Sequence, residues 1–155
     1  MKTANGLPPP EECNCFAVRA AARHVSQAYD RFLAPTGLRT TQYSILARLK
    51  RKGPLTINAL AEDMVMDRTT LGRNILPLQR DGLITIKSAA SDRRAKELRL
   101  TKAGEKRLQE AFERWSQAQS RFEAAFGEKR AAGLRTLLRA AAASEFTRTS
   151  ATSTR

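Results

Sequence analysis

Nine side chains between positions 68 and 96 have types and spacing that could do chemistry: Arg68, Thr69, Thr70, Arg73, Asn74, Asp92, Arg93, Arg94 and Lys96. The chemistry they suit is hydrogen bonding to a polyanion rather than bond making. An arginine guanidinium matches the O6 and N7 acceptors of guanine, an asparagine amide matches adenine, and a threonine suits a phosphate or a thymine methyl. Arg68 and Arg73 are five residues apart, so both can reach one groove from a single helix. Arg93 and Arg94 sit in a polar run suited to a narrow minor groove, where negative potential is concentrated. Catalytic groupings are not apparent. His24 has no cysteine, histidine or carboxylate at catalytic or metal-ligand spacing, and no glycine-rich phosphate loop occurs. The expectation is a binding protein, not an enzyme, with no metal and no cofactor.

Those nine residues need a scaffold, and the surrounding pattern supplies one. Asp67 is a good N-cap, and Leu71, Ile75 and Leu78 recur at helical spacing, leaving Arg68, Thr69, Gly72 and Arg73 on the other side. Pro77 inside this helix removes one hydrogen bond and predicts a kink beyond the reading residues. Asp81-Gly82 closes the helix, and residues 83–86 (Leu-Ile-Thr-Ile) alternate like a half-buried strand. Residues 88–96 read as a polar loop, and Leu98 and Leu100 alternate again as the return strand. Upstream, Thr56 caps a short helix over residues 57–64, with Ile57, Leu60, Ala61 and Met64 on one face. Helix, three-residue turn and helix make a helix-turn-helix, and the basic hairpin after it is a wing. The predicted class is mainly α with a small β-hairpin wing: a winged helix-turn-helix in an intertwined helical homodimer.

The run DRTTLGRNILPLQRDGLI followed by SDRRAKELRLTKAG resembles the winged-helix core of the MarR family of bacterial transcription regulators. Asp92, Arg94, Leu98, Leu100, Thr101 and Gly104 meet the family's wing pattern D-x-R-x-x-x-L-x-L-T-x-x-G. The resemblance extends over roughly residues 15–143. It implies sequence-specific regulation of transcription, most often repression, by a dimer whose first and last helices interlock. By the same resemblance Arg94 is the arginine inserted into DNA, with Asp92 bracing it or a recognition-helix arginine through a salt bridge. A small aromatic or phenolic ligand is the expected effector. Cys15-Phe16-Ala17 also resembles the first helix of the family's organic-hydroperoxide branch, which makes Cys15 and Tyr29 redox candidates. Thr40 stands where that branch has its second tyrosine, and no cysteine follows Cys15.

Charge points the same way. Lys and Arg number 28 against 15 Asp and Glu, a net charge of +13. Residues 67–102 carry nine basic and four acidic side chains, so the excess is densest in the proposed reading head. That balance favours a polyanionic partner, and with the helix-turn-helix and the family resemblance the expected partner is double-stranded DNA. No apolar run is long enough to span a bilayer, so no membrane role and a cytoplasmic location are expected. Cys13 and Cys15 are too few for a disulfide framework or a zinc site.

The remaining chain reads as helices that want company. Cys15, Val18, Ala22, Val25 and Tyr29 form a seam in a first helix over about residues 11–34, whose positive end suits Glu11 and Glu12. Residues 35–37 (Pro-Thr-Gly) break it, and Thr40 or Thr41 caps a second helix with Tyr43, Leu46 and Leu49 inward. Thr101 caps a long helix to about Phe126, striped by Leu108, Ala111, Trp115, Ala118 and Phe122. A last helix over about residues 128–143 carries Leu134, Leu137, Leu138 and Ala141. The predicted division is a flexible arm (1–10), a dimerisation helix (11–38), the winged helix-turn-helix (39–100), C-terminal dimerisation helices (101–144) and a flexible tail (145–155). Two reading heads in a dimer imply a near-palindromic operator with half-sites about 34 Å apart.

Overall fold

The computed structural model describes residues 9–146; the arm at 1–8 and the tail at 147–155 lie outside the described residues. Six α-helices and three short strands follow one another: α1 (Asn14–Leu33), α2 (Thr40–Lys52), β1 (Leu55–Thr56), α3 (Ile57–Asp63), α4 (Arg68–Arg80), β2 (Ile84–Ser88), β3 (Lys96–Leu100), α5 (Lys102–Phe126) and α6 (Glu128–Ala142). The chain divides into two compact units between Ala118 and Gln119. In the first unit Leu33, Ile45, Leu46, Leu60, Leu71, Leu78, Ile84 and Leu98 are fully buried. They hold α1 to α4 and the sheet around one apolar core, joined by Leu108 and Ala111 of α5. Tyr43 stacks on Trp115 with ring centroids 5.7 Å apart, and Trp115 stacks on Phe112 at 6.0 Å. Trp115 is therefore packing, and burial raises the Tyr43 phenol above its ordinary pKa.

The second unit holds itself by local contacts. Phe122 stacks on Phe126, the Arg130 guanidinium lies over the Phe126 ring, and Arg135 pairs with Glu123.

The caps explain where the helices begin. Thr56 and Asp67 accept from the amides of Ala59 and Thr70, as their types predict. At α2 the cap differs from expectation: Arg39, not Thr40 or Thr41, is the N-cap residue. An arginine side chain cannot accept, and the Gln42 side chain takes the Arg39 N–H instead, at 2.9 Å. The Thr40 amide donates to Asp30 of α1. At α1, Glu11 and Glu12 belong to a separate 3-10 turn, and Cys13 is the N-cap.

The sheet has order β1-β3-β2, all antiparallel, with Leu98 of β3 opposite both Leu55 and Ile86. Strand β1, two residues long, was not expected from the sequence. Lys96 is also corrected: it belongs to β3, opposite Ser88, so the loop proper is residues 89–95. Leu83 and Ile84 are both buried, because Leu83 lies in the turn ahead of the strand rather than in its alternation.

The end of the wing motif is architectural. Thr101 donates from its hydroxyl to the Gly82 carbonyl and accepts from the Gly104 amide, so it caps α5 and ties it to the turn after α4. Gly104 packs so closely there that a Cβ would stand 2.1 Å from the Leu83 carbonyl oxygen. One residue in the turn between α3 and α4 is strained: Val65, β-branched and 75% exposed, holds φ at 51°.

Candidate nucleic-acid interface

Helix α4 presents two faces. Leu71, Ile75 and Leu78 are buried, while Arg68, Thr69, Thr70 and Arg73 are exposed. Asp67 fixes the start, accepting from the Thr70 amide at 2.8 Å and the Thr70 hydroxyl at 2.6 Å. Those bonds, the hydroxyl first, hold the Asp67 carboxyl below its usual pKa. The helix runs on through Pro77 to Arg80, with Asp81 as C-cap and Gly82 at φ 70° in the turn. Asn74 is half-buried and folds back, its amide donating to the Thr70 carbonyl at 2.9 Å. One of its two N–H groups is thus spent within the helix.

The wing is held by its own backbone. Ala89 donates to Ala95 at 2.8 Å, and Ala95 donates to the Asp92 carbonyl at 3.0 Å. Among the described residues Asp92 has no salt bridge, in contrast to the expectation. Its carboxylate accepts from the Arg94 backbone N–H at 2.9 Å, an Asx turn that shapes the loop and leaves the guanidinium free to project. Arg93 and Arg94 are exposed at the tip, and Lys96, further down, reaches Ser88 at 3.5 Å.

Paired and unpaired cations separate by place. Arg48 and Lys52 of α2 both bind Asp63, Lys50 binds Glu105, Arg80 binds Asp81 and Arg99 binds Glu97. Among the described residues, Arg68, Arg73, Arg93 and Arg94 have no carboxylate partner. The first two turns of α4 and the wing tip thus carry four arginines without carboxylates, whereas Arg48, Lys50 and Lys52 of α2 are neutralised. A groove beside α4, lined by Arg68, Thr69, Gly72, Leu76 and Ile86, sets the helix's polar residues next to the wing strand β2. Leu76 is a surface residue the sequence reading passed over. It is 65% exposed, and the 69-73-76 spacing that puts it in line with Thr69 and Arg73 was available as a signal.

Other candidates are less assembled. Cys15 is exposed in the first turn of α1, and the fourteen residues to Tyr29 span about 21 Å of helix. The fold of one chain does not bring them together. Cys13 accepts from the Phe16 amide at 3.4 Å. No group of three or more His, Cys, Asp or Glu could hold a metal among the described residues. A second groove, between α2 and α5, has Tyr43, Ala47, Leu108 and Phe112 as walls and Lys50 and Arg51 at its edge.

Comparison with known proteins fits this geometry. A MarR family model matches residues 38–96, from just before α2 to the first residue of β3. The crystal structure of the M. tuberculosis transcriptional regulator MosR is 36% identical, with TM-score 0.75, covering 88% of this chain and all of that one. The MosR structure in complex with DNA is 39% identical, with TM-score 0.73, covering 84% of this chain and 96% of that one. The organic hydroperoxide resistance transcriptional regulator of Bacillus subtilis (strain 168) is 29% identical over 90 residues, 58% of this chain. The match spans only 61% of that relative's length. With a winged helix-turn-helix whose bare arginines lie on α4 and the wing tip, the chain belongs to the MarR family of transcription regulators.

Proposed function

We propose that the chain acts in the cytoplasm as a homodimer that binds a near-palindromic duplex operator and represses transcription until a small ligand releases it. The observation that carries this reading is where bare charge collects: Arg68, Arg73, Arg93 and Arg94 stand exposed without carboxylate partners on α4 and the wing tip, while Arg48, Arg80 and Arg99 of the same head sit on carboxylates. Such a surface attracts phosphates and leaves guanidinium groups free for base edges. Arg73 and Thr69 would enter the major groove with Arg68 at its edge; Thr70 and Asn74 contribute from the flank. Arg94 and Arg93 would take the minor groove, with Asp92 shaping the loop and Lys96 on a phosphate. The DNA complex of MosR supports the same partner.

The groove between α2 and α5 suits an anionic aromatic effector, with Tyr43 and Phe112 for the ring and Lys50 and Arg51 for the charge. A ligand binding there would act by favouring a head geometry that no longer fits the DNA. Peroxide control through Cys15 has less support, because Tyr29 lies too far along α1 to contact it within one chain.

The test is selection of duplexes from a random pool by purified protein. Enriched sequences should be near-palindromes with half-sites about one helical turn apart. Arg94→Ala should weaken binding to them while leaving the solution mass unchanged. Recovery of unrelated sequences, or full affinity in Arg94→Ala at several salt concentrations, would remove this reading.

A further inference from the structure

We infer that Leu76 is a specificity-determining residue that reads thymine methyl groups in the operator. The inference rests on the DNA-reading role proposed above and adds a base preference to it. Position 76 continues the stripe that starts at Thr69 and Arg73, opposite the buried stripe of Leu71, Ile75 and Leu78. An aliphatic side chain 65% exposed on that stripe, beside arginines without carboxylate partners, leaves apolar surface in water on the face meant for DNA. Its surroundings extend the apolar surface. Ile57 and Ile86 are only partly buried and line the same groove, and Gly72, one turn before Leu76, has nothing near its absent side chain. A base could therefore approach the helix closely at position 72 and meet Leu76 beyond it.

The major-groove edges of base pairs offer donors, acceptors and one apolar group, the 5-methyl of thymine. Leucine has no hydrogen-bonding atom in its side chain, so it can discriminate among bases only through that methyl. The neighbouring arginine, Arg73, would prefer guanine. A half-site with a thymine close to a guanine contact is the expected pattern. Removing one methyl from such a contact should weaken binding about threefold to fivefold, the worth of one buried CH₂-sized group.

The experiment uses a duplex selected by the protein itself, and the same duplex with deoxyuridine replacing thymine at one position at a time. Deoxyuridine removes the methyl and leaves every hydrogen-bonding edge intact. Wild-type protein should lose affinity at one or two symmetric positions. Leu76→Ala, with an unchanged melting temperature because the side chain is exposed, should bind the thymine and deoxyuridine duplexes equally well at those positions. Arg73→Ala should keep the discrimination. If wild type ignores every replacement, or Leu76→Ala still discriminates, Leu76 does not read the methyl although the protein binds DNA. If no duplex is enriched at all, the DNA-reading role fails first.

Discussion

Helices α4 and α1 are both amphipathic, yet they meet different fates within one chain. The stripe of α4, Leu71, Ile75 and Leu78, is buried. The stripe of α1 is not: Cys15, Val18 and Ala22 are exposed, Val25 and Tyr29 half-buried, and only Leu33 at its end is covered. Periodicity says that a helix has an apolar face but not who covers it. In α4 the cover is the chain's own core, which makes the helix a rigid mount for its outward arginines. In α1 the first unit covers only the C-terminal end and leaves Cys15, Val18 and Ala22 exposed, and a second copy of the chain is the partner proposed. Leu137 of α6, 70% exposed, belongs with α1 in this respect.

The contrast can be broken from either side. The largest expected effect is on α1: Val18→Asp places an unpaired carboxylate in the dimer seam and should disfavour assembly by about 3–5 kcal/mol. Sedimentation should then report the 17.2 kDa monomer, with the head still folded. A dimer of unchanged stability would mean that α1 is not the seam. On α4, Leu71→Ala should cost about 2–5 kcal/mol, because it opens a cavity under a fully buried side chain. Thermal unfolding checks this, with Arg73→Ala melting like wild type. Equal losses for both variants would erase the distinction between the faces.

Two smaller changes sharpen the picture of the mount. Val65→Gly should raise stability by up to about 1–2 kcal/mol, since a β-branched residue is strained at φ 51° and glycine is not. A lower melting temperature would show that the exposed side chain has a compensating contact. The Asp63 cluster should matter least, about 1 kcal/mol, because Asp63 and its two partners, Arg48 and Lys52, are all partly exposed. The hydrogen bond from Lys52, helped by the charges of Lys52 and Arg48, lowers the Asp63 pKa from its ordinary 3.8. A depressed carboxylate stabilises the fold above that ordinary value and loses its effect as pH falls through the folded one. Asp63→Asn should therefore be less stable than wild type near pH 7, and the gap should close below about pH 4. A gap that persists in acid would assign the effect to packing.

The head was the most legible part of the sequence because its signals are local. Asp67 caps α4 as its type and position predict, and Thr101 caps α5. Gly104 shows why the wing motif ends in glycine: a backbone carbonyl occupies the space of a side chain. Less legible was whatever depended on distant partners. Strand β1 is two residues long and exists through pairing with β3, some forty residues later. The α2 cap moved to Arg39 because Gln42 and Asp30 supply the acceptors, one of them from another helix. Asp92 was assigned a side-chain partner where its own loop offers a nearer donor, the Arg94 N–H. Leu76 carries no local signal of its own, since single exposed leucines are ordinary on protein surfaces and only its line with Thr69 and Arg73 sets it apart.

The central claim, that the four unpaired arginines on α4 and the wing tip of each head hold DNA phosphates and base edges, is tested most directly by affinity for a selected duplex across a salt series. Each neutralised phosphate contributes about −0.9 to the slope of log K against log salt. Two heads with several contacts each should give a straight line with a slope of roughly −4 or steeper, reduced by about one or two in Arg94→Ala. A scrambled duplex should show the slope without the affinity. A flat line for wild type, or one slope and one affinity for both duplexes, would contradict the claim.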